Sequence, residues 1–110
     1  MDAKWKQFER DVAAMIQGKR YPANSGHVLD CEGPVFVAQC KLVSRLSLEE
    51  LTTLAETADA HGMLRGKLGF VAAKVKRGPG LRSAALVVMT ADAFNRMLGW
   101  SLGPRGLLVK

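Results

Sequence analysis

Three polar side chains near the middle of the chain have the types and spacing needed for metal-dependent chemistry on a phosphodiester. Gln39 and Lys41 lie two residues apart at the end of an apolar run that begins at Val35, and Asp30 precedes that run. Because strand side chains alternate with period two, Gln39 and Lys41 are expected on one face of a sheet. Carboxylate and amide oxygens are ligands for a hard divalent cation, and a nearby lysine can stabilise developing negative charge.

A second carboxylate comes from the first predicted helix. The spacing of apolar residues predicts a helix from Ala3 to Gln17, and Gly18 follows it as a stop signal. Glu9 lies four residues after Trp5, at the edge of the apolar stripe, where an acid usually has a partner. We therefore expect that Glu9 can add a carboxylate to the group formed by Asp30, Gln39 and Lys41.

The elements that must position these side chains alternate between strands and helices. The sequence Ser47-Leu48-Glu49-Glu50 is a capping box, and Thr90 is a second expected helix cap. The predicted elements are a helix at 3–17, a loop at 19–26, strands at 27–31 and 35–42, a helix from 48 to about 61, strands at 68–75 and 83–89, and a helix from 91 to about 98. The strand at 83–89, rich in valine and leucine, is expected to be buried. This order, α-β-β-α-β-β-α, predicts an α/β fold with a mixed β-sheet flanked by helices.

Length and composition restrict the class of protein. The chain has 110 residues and is expected to form a single domain over 1–110, in which the tail at 99–110 is unassigned. Its formal net charge of +6 favours a polyanionic partner such as nucleic acid. The sequence offers no signal peptide and no apolar run long enough to span a membrane, so we expect a cytoplasmic protein. Cys31 and Cys40 are expected to be reduced thiols on two neighbouring strands, too far apart to form a disulfide.

The order of these residues resembles the PD-(D/E)xK nuclease superfamily, which has a restriction-endonuclease-like fold. The chain is most similar to small Holliday junction resolvases of archaeal and phage type, and the resemblance spans roughly residues 4–88. The triplet Gln39-Cys40-Lys41 looks like the QxK variant of Mrr-type restriction endonucleases. The resemblance implies a restriction-endonuclease-like mixed sheet flanked by helices. It also implies a homodimeric endodeoxyribonuclease that uses Mg²⁺ or Mn²⁺ to make paired nicks in four-way DNA junctions.

The resemblance also implies a role for each site residue. Asp30 matches the metal-binding aspartate of the family's first motif, Gln39 takes the place of its second acid, and Lys41 takes the place of its catalytic lysine. Glu9 matches a glutamate on the family's first helix that assists metal binding. The main-chain carbonyl of Cys40 corresponds to a further metal ligand.

Basic residues elsewhere are candidates for contacts with DNA phosphates. Arg20 and Ser25 fall where the resolvases carry a basic, serine-containing loop near the DNA backbone. Around the turn Gly78-Pro79-Gly80 lie four more basic residues, Lys74, Lys76, Arg77 and Arg82. A solvated hairpin end accounts for this group, and so does an arm that contacts phosphates; the net charge favours the arm.

Two departures from the family pattern leave other functions open. Leu29 stands where the motif name has proline, and Gln39 removes one negative charge from the expected metal site. Metal affinity is expected to fall, with Glu9 or Glu32 as the acid that compensates. The alternatives are a restriction- or repair-type endonuclease of the same fold, a catalytically inactive DNA-binding module, and a basic protein-interaction domain.

Overall fold

The chain folds into a five-stranded mixed sheet with helices on both faces. A computed structural model describes residues 4–21 and 28–102, the last two by their backbone alone. The elements are α1 (Lys4–Met15), β1 (Lys19–Arg20), β2 (Cys31–Glu32), β3 (Phe36–Val43), α2 (Leu48–Met63), β4 (Leu68–Val75), β5 (Ala84–Val88) and α3 (Ala91–Leu102). None of these helices is long and apolar enough to cross a lipid bilayer.

The strands lie in sequence order across the sheet, from β1 at one edge to β5 at the other. The pairs β1–β2, β2–β3 and β4–β5 are antiparallel, whereas β3 and β4 are parallel and are joined by α2. A parallel connection needs a crossover, and the capped helix α2 supplies it. The predicted α/β fold with a mixed sheet flanked by helices is therefore confirmed.

Each face of the sheet carries its own apolar core. On the first face, α1 packs against the sheet through a cluster made of Phe8, Val12, Ala13, Ile16, Cys31, Ala38, Phe70 and Ala72. On the other face, α2 packs through a cluster made of Leu29, Val37, Ala55, Ala58 and Val71. The neighbours Val37 and Ala38 thus belong to different clusters, as the alternation of a strand requires. We call the two sides the α1 face and the α2 face.

The helix α2 lies unusually close to β4 because glycine removes the side chain at the contact. A Cβ atom at Gly69 would lie 1.9 Å from the carbonyl oxygen of Ala58. A Cβ atom at Gly62 would lie 2.8 Å from the backbone nitrogen of Gly69. The backbones of helix and strand therefore approach each other directly, and no larger residue fits at these positions.

A buried carboxylate ties α3 to the rest of the fold. Asp59 of α2 is 6 % exposed and accepts a hydrogen bond from Nη2 of Arg96 in α3 at 2.6 Å. The hydroxyl of Thr90 lies 3.5 Å from Asp59 Oδ2, and the N–H of Gly69 lies 3.4 Å from its Oδ1. Asp59 therefore joins α2, the start of β4 and the start of α3.

Elements with strong local signals form where the sequence predicts them. Both halves of the capping box are present: the N–H of Glu50 donates to Ser47 Oγ at 3.0 Å, and the Glu50 side chain accepts from the Ser47 N–H. Thr90 caps α3, because its Oγ1 accepts the N–H of Ala93 at 3.0 Å. The strand predicted at 68–75 is β4. The helix predicted to end near 98 continues to Leu102, so the first part of the unassigned tail is helical.

Two strand predictions and one loop prediction need correction. The strand predicted at 27–31 is reduced in the described chain to Cys31–Glu32, and the predicted loop at 19–26 contains β1. Strands of two residues are too short to show a periodic pattern, so periodicity could not predict them. The strand predicted as buried is instead the edge strand β5, with Leu86 48 % and Val87 55 % exposed.

Candidate functional site

A β-bulge at the start of β2 sets the direction of the Asp30 side chain. Cys31 is the register partner of Ala38, yet the N–H of Asp30 also donates to the carbonyl oxygen of Ala38, at 2.9 Å. Two residues of one strand therefore oppose one residue of the next, which is the definition of a bulge. Asp30 and Cys31 both lie on the α1 face, where Cys31 packs against α1.

The Asp30 carboxylate is held against the backbone of β3. Its Oδ2 accepts the N–H of Cys40 at 2.7 Å, a distance typical of a hydrogen bond to a charged acceptor. This bond fixes the side chain without using Oδ1. The carboxylate therefore has a defined position beside β3 and a second oxygen for another partner.

Glu9 of α1 reaches the same place from the helix side. Glu9 is 8 % exposed, and the charge of the Asp30 carboxylate acts on its carboxyl. Nε and Nη2 of Arg20 donate to Glu9 Oε1 at 3.0 and 2.9 Å. Burial raises the pKa of Glu9 above its ordinary value, and the nearby Asp30 adds to this increase, although the hydrogen bonds from Arg20 oppose it.

This arrangement has the donors that a small divalent cation requires. Two carboxylates that repel each other across a short gap would both be stabilised by a cation between them. Among residues 4–21 and 28–102, no group of three or more His, Cys, Asp and Glu side chains is placed to hold a metal ion. A cation here would therefore be bound by Glu9 and Asp30, with water and substrate oxygens as its other ligands, as is usual for Mg²⁺.

Gln39 and Lys41 share one face, as predicted, but it is not the face of Asp30. The pairing of β3 with β4 is continuous from Phe36 to Val43, so the alternation of β3 is regular. Val37 belongs to the α2 cluster, which places Gln39 and Lys41 on the α2 face. The structure therefore does not bring them to Glu9 and Asp30.

On the α2 face, these two side chains have separate surroundings. Oε1 of Gln39 is buried and has no hydrogen-bond partner among the described residues. Lys41 lines a cavity of about 740 Å³ beside the first turns of α2, together with Ser47, Glu49 and Glu50. The residues that line the Lys41 cavity include neither Glu9 nor Asp30.

The lysine on the α1 face at this end of the sheet is Lys74. It pairs in register with Leu42, two residues after Cys40, and it alternates with Phe70 and Ala72 of the α1 cluster. Its Nζ lies 5.9 Å from the ring centroid of Phe8, the residue before Glu9. Sequence reasoning grouped Lys74 with the phosphate contacts; its parity with Phe70 and Ala72 was the signal that it shares the face of Asp30.

The remaining basic candidates lie at the carboxyl ends of β3 and β4. The N–H of Lys76 donates to the carbonyl oxygen of Val43 at 2.7 Å, which places the basic turn beside the end of β3. Lys76, Arg77 and Arg82 are exposed. Arg20, a predicted phosphate contact, is instead paired with Glu9. Ser25 lies outside the described residues.

Glu32, the other acid considered as a ligand, is engaged elsewhere. Its carboxylate accepts from Lys67 Nζ at 2.5 Å and lies 3.6 Å from Arg65 Nε, and it also accepts the hydroxyl of Tyr21. These partners hold Glu32 against the connection between α2 and β4. Glu32 therefore does not belong to the Glu9–Asp30 group.

The two cysteines are free thiols and lie closer together than the sequence indicated. Cys40 follows Ala38, the partner of Cys31, by two residues, so both side chains point to the α1 face. A hydrogen bond between the thiols, together with burial, raises the pKa of Cys40. Cys31 also donates to the main-chain carbonyl oxygen of Glu9 at 3.3 Å, and thus contacts α1 at the residue that carries one of the two carboxylates.

Scans against protein-family models, curated proteins and solved structures returned no match to this chain.

Proposed function

We propose that this protein is a metal-dependent endodeoxyribonuclease whose site is built on Glu9 and Asp30. The observation that carries the proposal is that these carboxylates, from α1 and from the bulge before β2, meet on one face of the sheet. Lys74 lies on the same face, and Lys76 and Arg77 follow the carboxyl end of β4; we call these three residues the basic edge. Carboxylates for a cation and positive charge for a phosphate are the two requirements of phosphodiester hydrolysis.

Each residue of the site has a separate task. Asp30, fixed by the N–H of Cys40, and Glu9 supply the oxygens that would hold Mg²⁺ or Mn²⁺. Such an ion, when bound, polarises the phosphate and lowers the pKa of an attacking water. Arg20 orients Glu9 through two hydrogen bonds to one oxygen. Lys74 supplies positive charge on the α1 face, the task that the family resemblance gives to Lys41.

The fold supports this proposal at the level of element order. A helix, three antiparallel strands, a crossover helix and a parallel strand follow one another, with Glu9 on the first helix and Asp30 in the bulge before the second strand. This order is compatible with the mixed sheet flanked by helices that the family resemblance implies. Within that class we propose four-way DNA junctions as the substrate and a homodimer as the active form, since a two-fold junction needs two nicks.

A second candidate function is DNA binding without cleavage. The observation in its favour is that Gln39 and Lys41, which occupy the places of the family's second acid and catalytic lysine, lie on the α2 face. The basic edge would still bind phosphates in this case. The two candidates differ in whether the Glu9–Asp30 pair performs chemistry.

A nicking assay separates them. The wild-type chain would be incubated with a labelled four-way junction and with a linear duplex of the same sequence, in Mg²⁺ or Mn²⁺. Asp30→Asn keeps an acceptor for the Cys40 N–H and removes the charge, so nicking is expected to fall at least about a hundredfold with the fold intact. Asp11→Asn, at an exposed acid of α1 that binds Gln7 at 2.9 Å, is the matched control and should cut normally.

Two further measurements, the relative nicking rates of junction and duplex and the binding of DNA in a gel shift, distinguish the remaining alternatives. Faster nicking of the junction than of the duplex supports a resolvase, and equal rates support a restriction- or repair-type enzyme. Salt-sensitive gel-shift binding without any nicking by the wild type would establish the DNA-binding module instead.

A further inference from the structure

The outer edge of β5 is uncharged, and no other strand of residues 4–21 and 28–102 pairs with it. The strand lies at the end of the sheet order and pairs only with β4 among the described strands. From Ser83 to Met89 the sequence contains no charged residue and no proline. Edge strands usually carry a lysine, a proline or a bulge that prevents pairing with another chain, and β5 has none of these.

The helices leave this part of the sheet largely uncovered. On the α2 face, the main contacts of α2 are with β3 and β4, so Leu86 is 48 % exposed. On the α1 face, Val87 is 55 % exposed and borders an apolar cavity of about 390 Å³ between α1 and α3. The cavity is also lined by Met15, Phe36, Phe70, Met89, Phe94 and Met97. Both faces of β5 therefore offer apolar surface next to unpaired backbone groups.

We propose that β5 pairs antiparallel with β5 of a second copy of this chain, around a two-fold axis at Leu86. Leu86 is the middle residue of Ala84–Val88, so this register opposes Leu86 to itself and Ala85 to Val87 of the other copy. Every backbone group at the edge then gains a partner. The sheets of the two copies join into one continuous sheet.

The charges at the two ends of β5 favour a second copy of the chain as the partner, and they favour antiparallel over parallel pairing. Arg82 precedes β5 and Asp92 follows it; both are exposed, and within the described chain neither has an ion-pair partner. Antiparallel pairing centred on Leu86 places the Arg82 end of each strand beside the Asp92 end of the other. Parallel pairing would instead place like charges together at both ends, which is unfavourable.

The interface does not depend on the proposed nuclease activity. It uses no residue of the Glu9–Asp30 pair and is measured without DNA or metal. If nicking fails and the dimer forms, the interface stands. If nicking succeeds and the chain is monomeric, the proposed cleavage activity stands, whereas both this interface and the homodimeric active form are overturned.

Sedimentation equilibrium of the full chain over a range of concentrations is the test. The wild type should sediment at twice 11.9 kDa. Leu86→Lys places a charge at the centre of the edge and should raise the dissociation constant about tenfold or more. Leu64→Lys, at a residue that is 82 % exposed at the end of α2, is the matched control and should leave association unchanged. Circular dichroism should show the same fold for all three.

The charge pair gives an independent test. Arg82→Glu and Asp92→Lys should each weaken the dimer, because each places like charges at both ends of the interface. The double variant restores opposite charges and should recover association. A monomeric wild type overturns the proposal, even if another protein binds β5. An assembly larger than a dimer, a dimer unaffected by Leu86→Lys, or a double variant weaker than both single variants also overturns it.

Discussion

The Asp30 carboxylate accepts the backbone N–H of Cys40 at 2.7 Å, and this bond joins the bulge before β2 to the longest strand pair of the sheet. One acid of the candidate site is thus positioned by main chain rather than by another side chain. A substitution that keeps the acceptor can therefore remove the charge and leave the geometry in place. The effect of the Asp30 charge on activity can therefore be measured without a change in the fold.

Two lysines are candidates for the catalytic role: the geometry of the site favours Lys74, and the motif favours Lys41. Lys74 shares the α1 face with Glu9 and Asp30, whereas Lys41 lies on the α2 face. Lys74→Met, which keeps the apolar stem over Phe8, is expected to slow nicking about a hundredfold. Lys41→Met should slow it about threefold or less. Single-turnover rates on the labelled junction measure both, and the reverse order of effects would assign the catalytic role to Lys41.

The raised pKa of Glu9 predicts a pH-dependent stability. Its folded-state pKa lies above the ordinary value of 4.5, so the folded state holds this proton more tightly than the unfolded state. The contribution of Glu9 to stability is fully present below the unfolded pKa and is lost as pH rises through the folded pKa. Glu9→Gln removes this dependence and keeps an acceptor for Arg20, so the variant should gain stability relative to wild type as pH rises.

Urea unfolding in EDTA between about pH 4 and pH 7 measures this effect. The exposed Glu56→Gln, on α2, is the control and should track wild type at each pH. A constant difference between Glu9→Gln and wild type across this range would contradict the assignment of a raised pKa to Glu9.

The basic turn between β4 and β5 predicts how DNA affinity responds to salt. If Lys76 and Arg77 each contact a phosphate, replacing both with alanine should lower the slope of log affinity against log salt by about 1.8, or about 0.9 for each contact. Lys19→Ala, at an exposed lysine in β1, should leave the slope unchanged. Fluorescence anisotropy at several salt concentrations gives the slopes. Equal slopes for the double variant and wild type would exclude the turn from the DNA interface.

The buried Asp59 predicts a large effect on stability without an effect on chemistry. Asp59→Ala leaves Arg96 without its partner at 2.6 Å and removes the acceptor beside Thr90. We expect a loss of about 2–4 kcal/mol in the free energy of unfolding. Glu49→Ala, at an exposed acid in the first turn of α2, should cost about 0.5 kcal/mol. Chemical denaturation measures both, and similar losses would contradict a structural role for Asp59.

The sequence predicted the elements that have strong local signals. The capping box at Ser47 and the period of the apolar residues located α1, α2, β3 and β4 to within about two residues. The edge position of Glu9 on its helix stripe correctly indicated a partner, which is Arg20. These features are set by contacts within a few residues of one another, and a single sequence contains that information.

The division of site residues between the two faces could not be predicted. With regular alternation, Asp30 would lie opposite Gln39 and on the same face, the α2 face. Because of the bulge opposite Ala38, Asp30 lies on the α1 face instead. A bulge depends on how two strands meet, and no residue type in the segment requires it. The exposure of β5 could not be predicted either. Its composition is that of a buried strand, and it is exposed because it lies at the edge of the sheet.

The shortness of β1 and β2 makes the two halves of the site unequal in local stability. Cys40 lies in β3, which is paired with β4 along eight register positions, whereas Asp30 borders strands of two residues each. Few hydrogen bonds must break for the β1–β2 segment to detach while the rest of the sheet remains folded. The amide proton of Cys40, held by Asp30, should therefore exchange with solvent through this partial opening rather than through global unfolding. A single backbone hydrogen thus reports whether the site is assembled.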